Sequence, residues 1–254
     1  MEWRRLRLGD VTASNFHKLL TKPPATGIYR VTGSRGEWYV EGGEIGRSGA
    51  CARKADAEEL KRELVAEWQE THWSDTAEQY LDDNLAELWT GQPMDEIRSA
   101  ATDWGTEVEP LAVSELRDLY RGSFQSPEGE LAYIHHPTEP FIGCSPDGFI
   151  DDDGVIEIKC PYNSGKWVRA YRKGLRLPSE YIPQVQGQMW ITGRQWCLFV
   201  YFDPRMDSIG DPLMETRIDR DDAYIDNTLA PRVIAFRNYL RAEYDRLAKQ
   251  ETPF

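Results

Sequence analysis

The six residues Val155–Cys160, VIEIKC, constrain the fold more than any other part of the chain. In a β-strand, successive side chains point to opposite faces. Ile156, Ile158 and Cys160 therefore share one apolar face, while Val155, Glu157 and Lys159 share the other. Three aliphatic residues in so short a run mark a strand inside a sheet, so the charged face must look into a cleft or onto a partner. A carboxylate or ammonium group is costly to bury unless it is paired or bound to metal. The fold has to set the interior of a sheet against a polar pocket.

Asp147 stands ten residues before Glu157, in CSPDG, and the DDDG run Asp151–Gly154 is a turn signal. A hairpin across that turn brings Asp147 beside Glu157, with Lys159 next along the strand. Two carboxylates converging with a backbone carbonyl make an oxygen-rich site suited to magnesium or manganese. Such a metal lowers the pKa of a bound water and polarises a phosphoryl oxygen. A lysine alongside orients the water or offsets charge on phosphorus. An exposed Glu/Lys pair on an ordinary strand has the same short pattern, so these residues alone leave both readings open.

The surrounding chain alternates helical and strand-like runs. LGDVTASNFHKLL suggests an entry turn and a helix, with Thr12 or Ser14 as its cap. GIYRVTGSRGEWYVEGG has the form of a β-hairpin, and DAEELKRELVAEW that of a helix opened by Asp56 and Glu59. Residues 26–70 are thus expected to form a small hairpin-plus-helix insert, and 1–25 with 71–254 the main domain. The insert is either a surface decoration or an extra DNA or partner contact, since Arg35 lies near Trp38 and Tyr39. TAEQYLDDNLAELWTG and WGTEVEPLAVSELRDLYRG read as helices ended by Gly91 and Gly122. ELAYIHH, PFIGCS and VIEIKC read as strands, SEYIPQVQGQMWITG as a helix and WCLFVYFDP as a buried strand. A long helix, interrupted near Pro231, is expected at the end.

Composition closes off several classes. With 254 residues, 40% hydrophobic and 29% charged, the chain fits a globular protein and not a disordered one. No run of about 18 apolar residues is present, as a membrane helix would need. The basic start MEWRRLRLGD lacks the apolar core of a signal peptide, so an intracellular protein is expected. Cysteines 51, 144, 160 and 197 form no CxxC pair and are expected to be reduced thiols. His135 and His136 lack ligand spacing and are expected to be strand-end or loop residues. A net charge of −13 calls for a local basic lining, or bound divalent metals, if the partner is nucleic acid.

SPDG, EIKCP and QVQGQMW, in this order, resemble the PD-(D/E)XK nucleases, and more closely the lambda-exonuclease and YqaJ-like viral recombinase group. RLGDVTAS, WGTEVEP and YFDPRM are similar to that group in the same order. The resemblance spans residues 3–24 and 75–206 and leaves out the insert. It implies an α/β fold with a restriction-endonuclease-like core, a central mixed β-sheet flanked by helices, and an inserted β-hairpin/helix module. It also implies a Mg2+-dependent 5′-to-3′ exonuclease, with Mn2+ able to substitute. Such an enzyme degrades one strand of linear double-stranded DNA and leaves 3′ tails for phage-type recombination. A homotrimer around DNA, a single-strand annealing protein as partner, and the cytoplasm of a bacterial host are implied as well. The alternatives are a structure- or end-specific endonuclease of the same superfamily and an inactive DNA-end binding module.

Residue by residue, the resemblance makes Asp147, Glu157 and the Ile158 carbonyl the metal ligands and Lys159 the catalytic lysine. Glu109 becomes the helix-borne acid near a second metal. Gln186 matches the glutamine of the helix motif, beside the lysine and the scissile phosphate, with Gln184 and Gln188 as polar neighbours. Arg7 and Ser14 match residues that hold the 5′-phosphate, and Trp3 an aromatic that touches unpaired bases. Two basic positions of the family are replaced, by Pro24 and Gly165, with Lys22 and Lys166 available to compensate. Without compensation, preference for a phosphorylated end should weaken.

Overall fold

The computed structural model describes residues 6–94 and 99–249. It forms two compact units: Lys18–Leu81, and the described residues up to His17 together with those from Asp82 onward. The chain begins with β1 (Val11–Thr12), a single 3-10 turn at Ala13–Asn15 and helix α1 (Phe16–Leu20). Thr12 precedes the 3-10 turn and makes no side-chain cap bond to it. Thr12 lies in β1, where its hydroxyl accepts from the Asn15 side-chain amide at 2.9 Å and meets Ser14 at 3.3 Å.

Strands β2 (Tyr29–Ser34), β3 (Glu37–Gly42) and β4 (Gly46–Arg47) make an antiparallel sheet in the Lys18–Leu81 unit. Arg35 and Gly36 both take positive φ (50° and 88°), the geometry a two-residue hairpin loop requires. Helix α2 (Lys54–Thr71) packs Ala57, Leu60 and Leu64 onto Tyr29 and Val40 of this sheet. Its N-cap is Arg53 rather than an acidic residue, and Asp56 instead accepts from the Arg53 guanidinium. Helix α3 (Asp75–Thr90) follows.

The larger unit continues with α4 (Ala100–Leu119), β5 (Phe124–Gln125), β6 (Ile134–His135), β7 (Ile142–Cys144), β8 (Gly148–Ile150) and β9 (Gly154–Lys159). ELAYIHH is mostly not a strand, because Gly129–Ala132 turns as a 3-10 helix. Then come α5 (Ser164–Lys173), α6 (Ile182–Thr192), β10 (Trp196–Phe202) and β11 (Leu213–Asp219). A π-helical turn at Ile225–Leu229 leads into α7 (Ala230–Ala248), so Pro231 sits in the first turn, where its missing N–H costs nothing.

The central sheet runs β11-β10-β9-β8-β5, with β9 and β10 parallel and every other pair antiparallel. A smaller sheet runs β1-β7-β6. The central sheet is covered on both faces. Ile156, Ile158, Leu198 and Val200 pack against Val108, Ala112 and Leu116 of α4. Val155, Phe149 and Phe199 pack against Trp167 of α5 and Val185 and Met189 of α6. This is the helix-flanked mixed α/β architecture, and it places the Glu157–Lys159 face toward α6. All four cysteines are free thiols. Among the described residues no helix is long and apolar enough to cross a membrane.

Candidate active site

The alternation of β9 buries the Glu157 side chain to 2% exposure and leaves Lys159 27% exposed one step nearer the strand end. The β8–β9 hairpin pairs Gly148 with Ile156, so Asp147 lies where β8 starts. Its backbone N–H donates to the Ile156 carbonyl at 3.0 Å, and its Oδ2 accepts from the Ile158 N–H at 2.7 Å. Asp147 thus bonds the backbone on both sides of Glu157, which brings the two carboxylates together. Lys159 pairs with Glu157 Oε1.

A cavity of about 490 Å³ opens over this corner. Asp147, Glu157, Ile158 and Lys159 line it, together with Glu109 of α4. Arg7 and Ser14 lie on the same lining. Burial, then the charges of Glu157 and Glu109, push the Asp147 carboxyl well above its usual range. Glu109 is exposed to solvent at the cavity, yet the surrounding wall and Glu157 raise its carboxyl too. For the Lys159 ammonium, burial opposes the charge, but Glu157 and Asp147 together outweigh it and the pKa rises. Lys159 is held as a cation.

Gln186 is not on the cavity lining, which holds Gln184 and Gln188. Its Nε2 donates to the Asp219 carbonyl at 3.0 Å and its Oε1 accepts from the Asp221 N–H at 2.9 Å, which ties α6 to the end of β11. Gln184 and Gln188, one turn apart, face Glu157 instead. Gln184 donates to Oε1 and Gln188 to Oε2, each at 2.6 Å. Side chains four apart on a helix share a face, whereas those two apart point nearly opposite ways. That spacing in QVQGQ groups Gln184 with Gln188 and sets Gln186 apart, while the rotation of α6 decides which set faces Glu157. Gly187 between them has its own constraint: a Cβ there would meet the Phe16 ring at 2.5–2.6 Å.

The remaining expected residues lie elsewhere. Lys166 lines a different cleft, on α5. Lys22 belongs to the Lys18–Leu81 unit, where it pairs with Glu70 at 3.3 Å. Trp3 lies outside the described residues. Ser145, within the SPDG signature, lines the cavity, and its hydroxyl has no hydrogen-bond partner among the described residues. His135 sits 3.1 Å from Asp10 Oδ2, and His136 accepts the N–H groups of Thr138 and Glu139.

Among the described residues no three His, Cys, Asp or Glu side chains already stand in a ligating arrangement, since the Glu157 oxygens face Gln184, Gln188 and Lys159. The donor chemistry nonetheless fits a hard divalent cation. Three carboxylates converge on one ammonium, two of them raised by burial and then by the neighbouring carboxylates, and the buried Oε1 of Gln188 has no partner among the described residues.

Residues 52–195 match the family described as the YqaJ-like viral recombinase domain. An alkaline exonuclease (LHK-Exo) from Laribacter hongkongensis is 31% identical over 98% of this chain and 96% of its own, with a TM-score of 0.69. The same protein in complex with dAMP matches equally. A phage-related exonuclease from Haemophilus somnus 129PT shares the fold, with 17% identity, 97% and 98% coverage and a TM-score of 0.55. No curated protein matches the chain.

Proposed function

Since the chain belongs to the YqaJ-like viral recombinase family, we propose that it is a Mg2+-dependent 5′-to-3′ exonuclease of linear duplex DNA, releasing mononucleotides and leaving a 3′ single-stranded tail. The observation that carries this reading is the convergence of Asp147, Glu157, Lys159 and Glu109 in one cavity whose lining also holds Arg7 and Ser14.

Asp147, Glu157 and the Ile158 carbonyl would hold the cation, with Glu109 directly or through water. When bound, the metal supplies an acidified water and a polarised phosphoryl oxygen. The chain's own groups do the rest. Gln184 and Gln188 fix the rotamer of Glu157. Lys159, kept protonated by its carboxylate neighbours, meets charge that gathers on the phosphate. Arg7 offers a planar fork and Ser14 a hydroxyl to a terminal 5′-phosphate. Ser145 brings an uncommitted hydroxyl to the same lining. A homotrimer around DNA, a single-strand annealing partner and action in the host cytoplasm complete the proposal.

The test is digestion of a linear duplex with Mg2+, one end 5′-phosphorylated and the other 5′-hydroxyl, beside closed circles and Lys159→Ala. Resection from the phosphorylated end alone, lost in the variant and absent on circles, is expected. Nicked circles, or equal attack on both ends, would overturn the end-directed reading.

A further inference from the structure

The chain carries 43 acidic against 30 basic residues, yet residues 160–179 contain Lys166, Arg169, Arg172, Lys173 and Arg176 and no acid at all. Elsewhere the arginines are largely neutralised in place, as in Arg205–Asp203, Arg220–Asp222 and Arg246–Glu243. The side chains of these five make no ion pair or hydrogen bond among the described residues, and all five are exposed. An acidic protein that leaves five cations unpaired on one helix and its trailing loop maintains a local positive field there.

Helix α5 organises them. It starts five residues after Lys159, capped by Asn163, whose side chain accepts from the Gly165 N–H. Trp167 anchors it, fully buried, with its indole N–H donating to the Pro212 carbonyl at 3.1 Å. Residues 166, 169 and 173 then fall on one outward face. With Arg176 they rim a cleft of about 740 Å³. The floor is apolar, with Leu175, Pro178 and Tyr201, and Glu180 is the one acid on the lining. On the flank of the helix Tyr171 is 56% exposed and stacks on Trp167 at 5.2 Å.

A cationic rim over an apolar floor can hold single-stranded nucleic acid: phosphates on the rim, bases against apolar surface. An apolar floor takes the faces of unstacked bases, which a duplex keeps stacked inside its helix. We propose that the α5 cleft is a binding site for single-stranded DNA, the tail left by the reaction, distinct from the Glu157 cavity. The identification of that tail rests on the exonuclease reading; binding of single strands by the cleft can be measured without it.

The experiment is fluorescence anisotropy with a fluorescein-labelled oligo(dT) and, separately, a blunt duplex, in EDTA so that nothing is cleaved. Arg169→Ala/Lys173→Ala is compared with wild type across a salt series, with thermal melting as the check on folding. Loss of two phosphate contacts should weaken oligo(dT) binding on the order of 10-fold at 0.1 M salt and flatten the log–log salt slope by about 1.4. Duplex affinity should stay within about twofold. Unchanged oligo(dT) affinity, or equal loss on both DNAs, would overturn the proposal. Arg172→Ala, on the neighbouring face, is the second variant should the double variant melt early, and a smaller loss of the same kind is expected. Wild-type cleavage with Mg2+, assayed apart, tells failure of the exonuclease reading from failure of the cleft.

Discussion

Gln184 and Gln188 stand one turn apart on α6 and donate to opposite oxygens of the same buried carboxylate, Glu157. The two are not equivalent. Oε1 also receives Lys159, whereas Oε2 has only Gln188 among the described residues. Removing Gln188 therefore leaves a buried carboxylate oxygen without a donor, at a cost of about 1–3 kcal/mol. Gln188→Leu should lower the melting temperature by several degrees and Gln184→Leu by less. Both should slow cleavage of a linear duplex. Calorimetry on the two variants checks the order, and a greater loss in Gln184→Leu would reverse the assignment.

Gln186 gives the opposite pattern. Its contacts are to the backbone at Asp219 and Asp221, remote from the carboxylates. Gln186→Ala should cost about 1 kcal/mol in stability through two lost hydrogen bonds while keeping most of the cleavage rate at low temperature. Rate and melting measured on one preparation separate the two effects.

The raised carboxyl of Asp147 predicts a trade of stability against function. A carboxyl whose pKa is higher in the folded state binds its proton more tightly there. Its favourable contribution is full below the unfolded value near 4 and is lost as pH climbs through the folded value. Asp147→Asn keeps an oxygen for the Ile158 N–H but removes the charge. The metal-free variant should melt above wild type at pH 8, and the gap should close on acidification. Mg2+ should raise the melting point of wild type only, and more at pH 8 than at pH 6. An Asp147→Asn protein that melts with wild type at every pH would falsify the claim that burial and the neighbouring carboxylates raise this carboxyl.

Arg7 and Ser14 share the cavity lining with the carboxylates. Arg7→Ala should lower the preference for a 5′-phosphorylated over a 5′-hydroxyl end by about 10-fold or more, as loss of a charge-assisted fork does. Competition between two end-labelled duplexes in one tube reads that ratio directly. Equal loss of rate on both ends would place Arg7 in general DNA binding.

How legible the site was in the sequence follows from what each residue depends on. Glu157 and Lys159 depend only on the two-residue period of a strand, and their shared face was readable in VIEIKC. Asp147 depends on a local hairpin and was readable as well. The choice among Gln184, Gln186 and Gln188 depends on how α6 is rotated about its axis. Tertiary packing of Val185 and Met189 against Phe199 sets that rotation, which no local pattern records. The helix caps failed for a related reason, since Thr12 and Asp56 found nearer polar partners in Asn15 and Arg53. The hairpin Tyr29–Gly42 was readable from its Arg35–Gly36 turn, but the compact unit around it extends beyond 26–70, because α1 and α3 carry its ends.

Gly187 carries one more consequence. With no side chain there, Phe16 lies directly on α6, and the Ala13–Asn15 turn rides on the helix that aims Gln184 and Gln188 at Glu157. On the proposed function, Ser14 is the stop against which a DNA end comes to rest and Glu157 belongs to the blade. Stop and blade are mounted on one rod, and the gap between them is the length of the piece removed. Gly187→Ala would push the stop away from the rod, and the enzyme would miscount: its products, sized by mass spectrometry, should shift from single nucleotides toward longer fragments.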